Sequence, residues 1–388
     1  MKMATRLAQA GTRQDPGTGS LSTPVYFATT FAHPELGQST GYDYSRTGNP
    51  TRTALEQVLA QLEGGERGFA FASGMAAVST VMSMFSQGDH ILASDDLYGG
   101  TYRLFETILV RQGITVDYVD TGSAAALQNA VRKETKAIFV ETPTNPTMKI
   151  TDLHQVVAFA KAHRLLTIID NTFMTPFYQR PLELGADIVV HSATKYLGGH
   201  NDVLAGVVVS QGGELSDRLF ALQNAIGATL GPQDCWLLLR GLKTLALRMR
   251  QHEENARVLS ARLAEHPLVP RVFYPGLPSH PGREVQERQA TGFGGMLSFE
   301  LADKAMVAPF LRAVDLITFA ESLGSVETLV TFPSRQTHAD IPAAVRAARG
   351  VTDQLLRLSV GIEDVDDIWA DLQRALEQAG RPENFARQ

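Results

Sequence analysis

The residues of this chain that are best suited to covalent chemistry lie at positions 186–200, in the segment A-D-I-V-V-H-S-A-T-K-Y-L-G-G-H. An apolar run at 188–190, typical of a buried strand, is followed by Ser192, Thr194 and Lys195 and then by two glycines. A lysine directly after a buried strand is badly placed to be an ordinary solvated charge. Its amine is well placed to form an imine with an aldehyde cofactor. If Lys195 has this role, other residues must bind the remaining polar groups of that cofactor.

A carboxylate ends a second apolar run of the sequence. Asp170 follows L-L-T-I-I, and a carboxylate at the end of a buried strand is costly unless it has a partner. A protonated pyridine nitrogen is one such partner, and it would make the cofactor ring an electron sink. The alternative is an aspartate that caps a helix or binds loop N–H groups. About one helix and one strand separate Asp170 from Lys195, so both are expected at the same edge of one sheet.

Three further strand ends carry groups that suit a flat, phosphorylated ring, although each has an ordinary structural alternative. Ser73, Gly74 and Met75 open a helix, where free N–H groups bind phosphate, unless the segment is only a tight turn. Tyr98 follows the strand H-I-L-A-S and could stack on the ring or simply pack in the core. Asn145 could bind a phenolate oxygen or lie in a loop fixed by the following proline. Together with the lysine and the aspartate, these groups predict pyridoxal phosphate (PLP) as the cofactor.

The elements that must position these groups alternate in type along the chain. From Pro50 onwards short apolar strands alternate with helices, as is typical of a mostly parallel sheet covered on both faces. Seven strands are predicted, near residues 68–72, 90–94, 116–119, 137–140, 167–169, 188–190 and 203–210. After Pro232 the pattern predicts one long helix from 234 to about 265. Further strands are predicted near 271–274, 295–301, 316–320 and 356–360.

The predicted fold class is therefore α/β, with a smaller C-terminal α+β domain. Residues 1–45 are rich in Gly, Thr, Ser and Pro, show little periodicity, and are expected to form an extended N-terminal arm. Residues 46–242 are predicted to form the large α/β domain, and residues 243–388 the C-terminal domain.

The composition argues against several classes of protein. The net charge is -6 without a long basic run, so a nucleic-acid partner is not expected. No run of about 18 apolar residues predicts a membrane span, and the N-terminus lacks the apolar core of a signal peptide. The single cysteine, Cys235, allows no intrachain disulfide, which favours the cytoplasm. Cys235 lies in an apolar run and is expected to be a core residue.

Three other classes fit the sequence less well. No G-x-G-x-x-G follows a predicted strand, which argues against a nicotinamide-dependent oxidoreductase. The 10 histidines are scattered and no H-E-x-x-H occurs, so no metal is expected. A non-catalytic binding protein of the same fold need not retain Lys195, Asp170 and Arg357 together.

The chain resembles the cysteine/methionine-metabolism family of PLP-dependent enzymes from about residue 5 to residue 376. This family includes cystathionine γ-lyases, β-lyases and γ-synthases, methionine γ-lyases and homoserine-ester sulfhydrylases. The resemblance implies the PLP-dependent aminotransferase-like fold (fold type I). The motifs that carry it are Y-S-R-T-G-N-P-T-R at 44–52, A-S-G-M-A-A at 72–77, D-L-Y-G-G-T at 96–101, E-T-P-T-N-P at 141–146, D-N-T-F at 170–173, H-S-A-T-K-Y-L-G-G-H at 191–200 and R-L-S-V-G-I-E at 357–363.

The resemblance implies a role for each cofactor-binding residue. Lys195 would be the attachment point of PLP, Asp170 would bind its pyridine nitrogen, and Tyr98 would stack on its ring. The phosphate would be bound by Ser73, by the backbone of Gly74 and Met75, and by the hydroxyls of Ser192 and Thr194. Tyr44 and Arg46 would complete the phosphate site of a neighbouring subunit, in a homotetramer of two catalytic dimers. From the sequence alone, Arg46 is a plausible bidentate phosphate ligand or a solvated loop charge.

The resemblance also implies which residues transfer protons during the reaction. The freed amine of Lys195 would take the α-proton of an amino acid substrate and move protons between its carbons. This requires the lysine pKa to be lowered by burial or by neighbouring positive charge. Tyr98 would be the acid/base partner near the amine or the leaving group.

The last predicted strand contains an arginine among apolar residues. A guanidinium in such surroundings indicates a carboxylate partner. Arg357 lies in L-L-R-L-S-V-G, and the sequence alone favours an internal salt bridge for it. The resemblance instead implies that Arg357 binds the α-carboxylate of the substrate, assisted by Asn145 and Ser322.

Four further positions bear on the reaction within the family. Asp43 and Glu321 resemble acidic residues of cystathionine γ-lyases and γ-synthases, and they could bind the distal ammonium of cystathionine. Gly100 stands where methionine γ-lyases typically have cysteine, which argues against that activity. Ser325 replaces a glycine that is usual in the family and leaves the local turn in doubt. We favour a lyase that cleaves cystathionine by γ- or β-elimination, with cystathionine γ-synthase or O-acetylhomoserine sulfhydrylase as the alternative.

Overall fold

The computed structural model describes residues 1–13 and 15–381 of the chain. Gln14, in the predicted arm, and residues 382–388, in the predicted C-terminal domain, lie outside the described residues. Two sheets organise the described part, one of seven strands and one of five. Among these residues no helix is long and apolar enough to cross a membrane.

The larger sheet confirms the predicted mostly parallel architecture. Its strand order is β1-β7-β6-β5-β4-β2-β3, and β7 alone runs antiparallel to its neighbours. The carboxyl ends of β1, β2, β4, β5 and β6 therefore meet at one edge, where ligands bind in open α/β sheets. The strands are β1 (Arg67–Phe71), β2 (His90–Ser94), β3 (Thr115–Val119), β4 (Thr135–Glu141), β5 (Leu166–Asp170), β6 (Ile188–Ser192) and β7 (Gly206–Ser210).

Helices cover both faces of this sheet, because its central strands are apolar on both sides. Their ends follow ordinary capping rules. The side chain of Asn49 accepts hydrogen bonds from the first free amides of α2, and Pro50 occupies the first helical position. The helices are α1 (Met3–Ala8), α2 (Pro50–Glu63), α3 (Gly74–Met82), α4 (Gly99–Leu104), α5 (Ala124–Ala130), α6 (Leu153–His163), α7 (Thr175–Tyr178), α8 (Gly213–Ile226) and α9 (Pro232–Leu242).

The smaller sheet has the order β10-β11-β12-β9-β8 and is antiparallel except between β10 and β11. It packs against helices over a separate apolar core. Strand β11 was not expected from the sequence. The elements are α10 (Leu245–Ala264), β8 (Arg271–Phe273), α11 (Arg283–Gln289), β9 (Met296–Glu300), α12 (Val307–Ala313), β10 (Thr318–Phe319), β11 (Leu329–Thr331), α13 (Ala343–Ala348), β12 (Leu355–Ser359) and α14 (Val365–Ala379).

The long helix predicted from 234 to about 265 is wrong, because the chain breaks between α9 and α10. The guanidinium of Arg248, which is only 3% exposed, donates to the backbone oxygens of Gly241 (2.8 Å) and Tyr196 (2.7 Å). The carbonyl of Gly241 thus accepts from this side chain and from the amide of Thr244 (3.2 Å), an i→i+3 bond typical of a helix end. The break also lets α9 pack directly on the turn that carries Lys195, since a Cβ on Gly241 would lie 2.4 Å from the oxygen of Gly198.

The N-terminal 45 residues contain more structure than the sequence suggested. Helix α1 places Leu7 in the core of the large domain, where the side chain is fully buried. Residues 29–45 then form a loop that is exposed for most of its length and is closed by a bridge between Thr30 and Tyr44.

Candidate active site

A cavity of about 200 Å³ lies at the carboxyl edge of the larger sheet, against the smaller domain. It brings together residues that are far apart in the sequence. Of the residues predicted for the site, those that line the cavity are Ser73, Gly74, Met75, Tyr98, Asn145, Asp170, Ser192, Thr194, Lys195, Glu321, Ser322 and Arg357. Asp43, Tyr44 and Arg46 do not line it.

The start of helix α3 forms one end of the cavity. The hydroxyl of Ser73 accepts a hydrogen bond from the amide of Ala76 (3.0 Å) and so begins the helix. The amides of Gly74 and Met75, in the first turn, have no partner within the helix. A Cβ on Gly74 would lie 2.8 Å from Cβ of Ser192, so only glycine permits this approach to strand β6. The result is a pocket of N–H and hydroxyl donors that suits a phosphate.

Two carboxylates stand side by side at the ends of β4 and β5. Glu141 and Asp170 are register partners. Burial raises the pKa of Asp170, whose carboxylate accepts from the amide of Thr172 at 3.0 Å. Burial, and then the charge of Asp170, raise the pKa of Glu141 well above its usual range. Glu141 also accepts from the amide of Tyr98 at 2.9 Å, which fixes the start of helix α4. The pair is therefore suited to hold one negative charge opposite a cation.

Lys195 lies in the same cavity with a perturbed amine. Its Nζ donates to Oγ of Ser322 at 2.8 Å. Burial, helped by the positive charge of Arg357, lowers the pKa of Lys195 to about 8, while Glu321 acts in the opposite direction. A substantial fraction of the amine is therefore neutral slightly above pH 7, as a base requires.

Arg357 is 1% exposed and lies on β12 beside Thr331 of β11. Its Nη1 donates to Oδ1 of Asn145 (2.9 Å), and its Nη2 donates to the backbone oxygen of Ser322 (2.9 Å) and to Oγ1 of Thr331 (3.1 Å). These acceptors are all uncharged, which does not support the internal salt bridge that the sequence alone favoured. Among the described residues its buried Nε has no hydrogen-bond partner. A buried donor without an acceptor marks a place for a ligand carboxylate.

Tyr98 stands at the mouth of the cavity and is 38% exposed. The residue precedes helix α4 and packs closely on its first turn. A Cβ on Gly100 would lie 2.4 Å from Cε1 of the Tyr98 ring and 3.2 Å from the sulfur of Met75. The glycine at position 100 therefore allows the ring to take this orientation.

The three predicted residues outside the cavity belong to the exposed loop that precedes α2. Arg46 donates from Nη1 to the backbone oxygen (2.6 Å) and to Oδ1 (3.0 Å) of Asn224. The Tyr44 side chain is 47% exposed and faces the Arg46 guanidinium. Asp43 accepts from the hydroxyl of Ser39 at 2.6 Å. Within one chain none of these three residues lines the cavity.

The cavity also contains residues that the sequence reading did not assign to the site. Glu141 could have been found, because it ends an apolar strand as Asp170 does. Thr337 gives no such signal, since it lies in an irregular segment of the smaller domain. The unassigned lining residues are Val78, Thr101, Glu141, Pro143, Thr172, Phe173, Val190, Leu204, Leu323 and Thr337.

The doubt over Ser325 is removed by the backbone conformation. The positive φ angles of this turn fall on Ser322 (φ 86) and Gly324 (φ 77), so Ser325 needs no glycine-like backbone. Its buried hydroxyl donates to the backbone oxygen of Glu327 at 3.1 Å. A serine is therefore accommodated here without an unpaired hydroxyl.

The arrangement fits the PLP that the sequence predicts. The cavity offers donors for a phosphate at the start of α3, a buried carboxylate for a cationic ring nitrogen, an aromatic side chain at its mouth and a lysine amine. Burial raises the pKa of Asp170 although its carboxylate accepts from Thr172, and a pyridinium would be a cationic partner that offsets the cost of this burial.

Comparisons with known proteins agree with this geometry. The chain matches the family model described as Cys/Met metabolism PLP-dependent enzyme over residues 4–377. It is 52% identical over 377 residues to a cystathionine γ-lyase of Bacillus subtilis (strain 168), and the match covers 97% of this chain and 100% of that one.

Of two further matches, one is named for a synthase activity and the other for a γ-lyase activity. A cystathionine γ-synthase/O-acetylhomoserine (thiol)-lyase of Bacillus subtilis (strain 168) is 52% identical over 372 residues, which cover 96% of this chain and 95% of that one. The crystal structure of a cystathionine γ-lyase from Lactobacillus plantarum, complexed with L-serine, has a TM-score of 0.96 at 49% identity. That match covers 98% of this chain and 99% of the other.

Proposed function

The chain belongs to the Cys/Met metabolism family of PLP-dependent enzymes, and from this premise we propose that it is a carbon–sulfur lyase that cleaves L-cystathionine. The family match confirms the resemblance inferred from the sequence and the prediction of PLP as the cofactor. The proposed reaction is γ-elimination, in which cystathionine and water give cysteine, 2-oxobutyrate and ammonia. β-Elimination at the same site would give homocysteine, pyruvate and ammonia.

The observation that carries this proposal is the presence of Lys195, Asp170 and Arg357 in one cavity. When bound, PLP withdraws electrons from the α-carbon of an amino acid and makes bonds at and near that carbon easier to break. The amine of Lys195, whose pKa is lowered to about 8, takes and returns protons close to neutral pH. Asp170 would hold a positive charge on the pyridine nitrogen, and Tyr98 would be the second acid/base group at the mouth.

Arg357 orients the substrate through its α-carboxylate. The unpartnered Nε donor and the two Nη groups form a planar fork that suits a carboxylate. Asn145 and Ser322 hold that fork in place and assist in binding. The cofactor phosphate is bound by Ser73, Gly74, Met75, Ser192 and Thr194.

The choice of cystathionine over smaller amino acids rests on acidic groups near the mouth. Glu321 lines the cavity and can pair with the distal ammonium of cystathionine. Asp43 would act with it from a neighbouring subunit, and Tyr44 and Arg46 would bind the phosphate of that neighbour. All three are absent from the cavity of their own chain, which supports this assignment. The proposed assembly is a homotetramer of two catalytic dimers, and the proposed location is the cytoplasm.

Methionine cleavage is not proposed as the main activity. The Cβ of a cysteine at position 100 would lie 2.4 Å from Cε1 of Tyr98, closer than real Cβ contacts allow. The ring could not keep its present orientation with that side chain.

The second candidate is γ-replacement, as in cystathionine γ-synthase or O-acetylhomoserine sulfhydrylase. It is supported by the relative named for those activities, which is as similar to this chain as the named γ-lyase. Product analysis separates the candidates. With cystathionine alone, cysteine and 2-oxobutyrate are expected, whereas homocysteine and pyruvate would indicate β-elimination. Turnover only with O-acetylhomoserine plus cysteine or sulfide would replace the lyase assignment by a synthase.

A further inference from the structure

His338 is a buried imidazole beside the cavity that none of the proposed catalytic steps uses. The residue follows the short 3-10 turn Pro333–Arg335 of the smaller domain, and it is 1% exposed. The amide of His338 donates to the oxygen of Pro333 at 3.0 Å, and its own oxygen accepts from Ile341 at 3.1 Å. Both backbone polar groups of His338 are therefore paired within this segment.

Both ring nitrogens of His338 have partners that define its tautomer. Nε2 lies 3.0 Å from the backbone oxygen of Asn145, and Nδ1 lies 2.8 Å from Oγ1 of Thr337. A carbonyl oxygen can only accept, so Nε2 carries the hydrogen. Nδ1 then accepts from the hydroxyl of Thr337. The neutral imidazole therefore satisfies both neighbours at once.

Burial of the ring favours this neutral form. Burial, helped by the positive charge of Arg357, lowers the pKa of His338 to about 4, while Asp96 and the backbone oxygens of Asn145 and Leu97 act in the opposite direction. The ring therefore keeps the same hydrogen-bond pattern at the pH values at which Lys195 changes charge.

Asn145 connects this imidazole to Arg357. Its backbone oxygen accepts from His338, and its side-chain Oδ1 accepts from Nη1 of Arg357 at 2.9 Å. The loop around it has no regular secondary structure, so side-chain contacts must hold it. The buried carboxylate of Asp96 also contacts this loop and accepts from Oγ1 of Thr144 (2.6 Å). His338 and Asp96 thus hold the loop at two points, Asn145 and Thr144.

The partner of Nδ1 also belongs to the site. Thr337 lines the cavity, and its backbone packs on the residue after Tyr98. A Cβ on Gly99 would lie 1.9 Å from the oxygen of Thr337, so there is no space between these two segments. A shift of the His338 ring would consequently disturb both Asn145 and the cavity wall.

We propose that His338 is a positioning residue that fixes the Asn145–Arg357 pair and thereby sets the affinity of the site for the α-carboxylate of the substrate. The proposal rests on the carboxylate-binding role of Arg357 in the proposed function. It predicts that loss of the imidazole weakens substrate binding much more than it slows the proton transfers made by Lys195.

The test compares two competitive inhibitors of cystathionine cleavage by the holoenzyme. L-Alanine has an amine and an α-carboxylate, and ethylamine has the amine alone. In His338→Asn, which keeps an acceptor near Nδ1 but loses the Nε2 donor, the inhibition constant of L-alanine should rise about tenfold, as expected for one hydrogen bond. The constant of ethylamine and the value of kcat should change by less than about threefold.

Two further variants separate a loss of the His338 hydrogen bond from a general loss of stability. His338→Gln, whose amide reaches the position of Nε2, should show a smaller, L-alanine-selective loss, so the test does not depend on the folding of the asparagine variant. The matched control is His90→Gln. His90 is also 1% exposed, but it starts β2 at the edge opposite the cavity and contacts Thr135. This control should leave the ratio of the two inhibition constants unchanged.

Four outcomes would overturn the proposal. Equal losses for both inhibitors in folded His338 variants, or unchanged constants, would show that the ring does not act on the carboxylate site. A similar selective loss in His90→Gln would show a general effect of destabilisation. If the wild-type enzyme itself does not distinguish L-alanine from ethylamine, the role proposed for Arg357 fails first, and the role of His338 fails with it.

Discussion

The amine of Lys195 donates to the hydroxyl of Ser322 at 2.8 Å, and this contact joins the two domains at the reactive end of the cavity. The backbone oxygen of the same serine accepts from Nη2 of Arg357 at 2.9 Å. Ser322 thus touches both the group proposed to move protons and the group proposed to bind the substrate carboxylate. It does so with a φ of 86, a left-handed conformation that is costly for any residue except glycine.

Replacement of Ser322 separates the contribution of its hydroxyl from that of its backbone. Ser322→Gly removes the acceptor of Lys195 and relieves the backbone, so kcat should fall about tenfold, the value of one hydrogen bond. Ser322→Ala removes the same acceptor but retains a Cβ at positive φ. Both variants should have the same kcat, while the alanine variant should unfold at a lower temperature. Steady-state kinetics and thermal unfolding test this, and a kcat near that of the wild type in both would rule out a catalytic use of the contact.

Arg357→Lys tests the carboxylate site with the charge preserved. An ammonium cannot reproduce the fork that contacts Asn145, Ser322 and the ligand, so KM for cystathionine should rise at least about tenfold with little change in kcat. Arg248→Lys is the comparison, because Arg248 is similarly buried but donates to groups that do not line the cavity, namely the backbone oxygens of Gly241 and Tyr196 and Oγ1 of Thr244. It should lower the unfolding temperature without a selective rise in KM. An unchanged KM in Arg357→Lys would make the guanidinium a structural group.

The site residues at strand ends could be predicted because the sequence pattern that marks them lies in the residues directly before them. Lys195 and Asp170 each follow an apolar run, and α/β sheets collect such positions at one edge. Glu141 also ends an apolar strand and was equally predictable, although only Asn145 of the motif E-T-P-T-N-P was assigned to the site. Thr337 was beyond prediction, since only the packing of the smaller domain on Gly99 brings it to the cavity.

The elements that were predicted wrongly or not at all are those that depend on tertiary contacts. The run from 234 to 265 has helical composition throughout, and only the contact of Arg248 with Gly241 and Tyr196 shows why it breaks. Strand β11 has three residues and owes its existence to pairing with β10 and β12. Local periodicity contains no information on such contacts.

The pH dependence of turnover should report the amine of Lys195. Its pKa is lowered to about 8, and only the neutral amine accepts a proton, so kcat should rise as the pH increases through this value. Glu321 raises the pKa of Lys195, and Glu321→Gln should therefore shift the rise of kcat to lower pH. Glu327→Gln is the control, because it removes the same charge from an exposed group that contacts Asn201 outside the cavity. An identical profile in wild type and Glu321→Gln would show that another group limits the rate.

Mixed assemblies test whether Arg46 serves the cavity of a neighbouring subunit. Lys195→Ala and Arg46→Ala should each be nearly inactive alone. A hybrid dimer of the two variants would contain one site with both defects and one site with neither. Random mixing by co-expression should therefore restore activity to about a quarter of the wild-type sites.

The matched control for this experiment mixes Lys195→Ala with Asp170→Asn. Both residues line the cavity of their own chain, so every site in a hybrid retains one defect and activity should stay near zero. Recovery with Arg46→Ala but not with Asp170→Asn would support a shared site. The absence of recovery in both mixtures would place Arg46 in its own chain, where its contact is Asn224. Recovery in both would contradict the placement of Lys195 and Asp170 in the cavity of one chain.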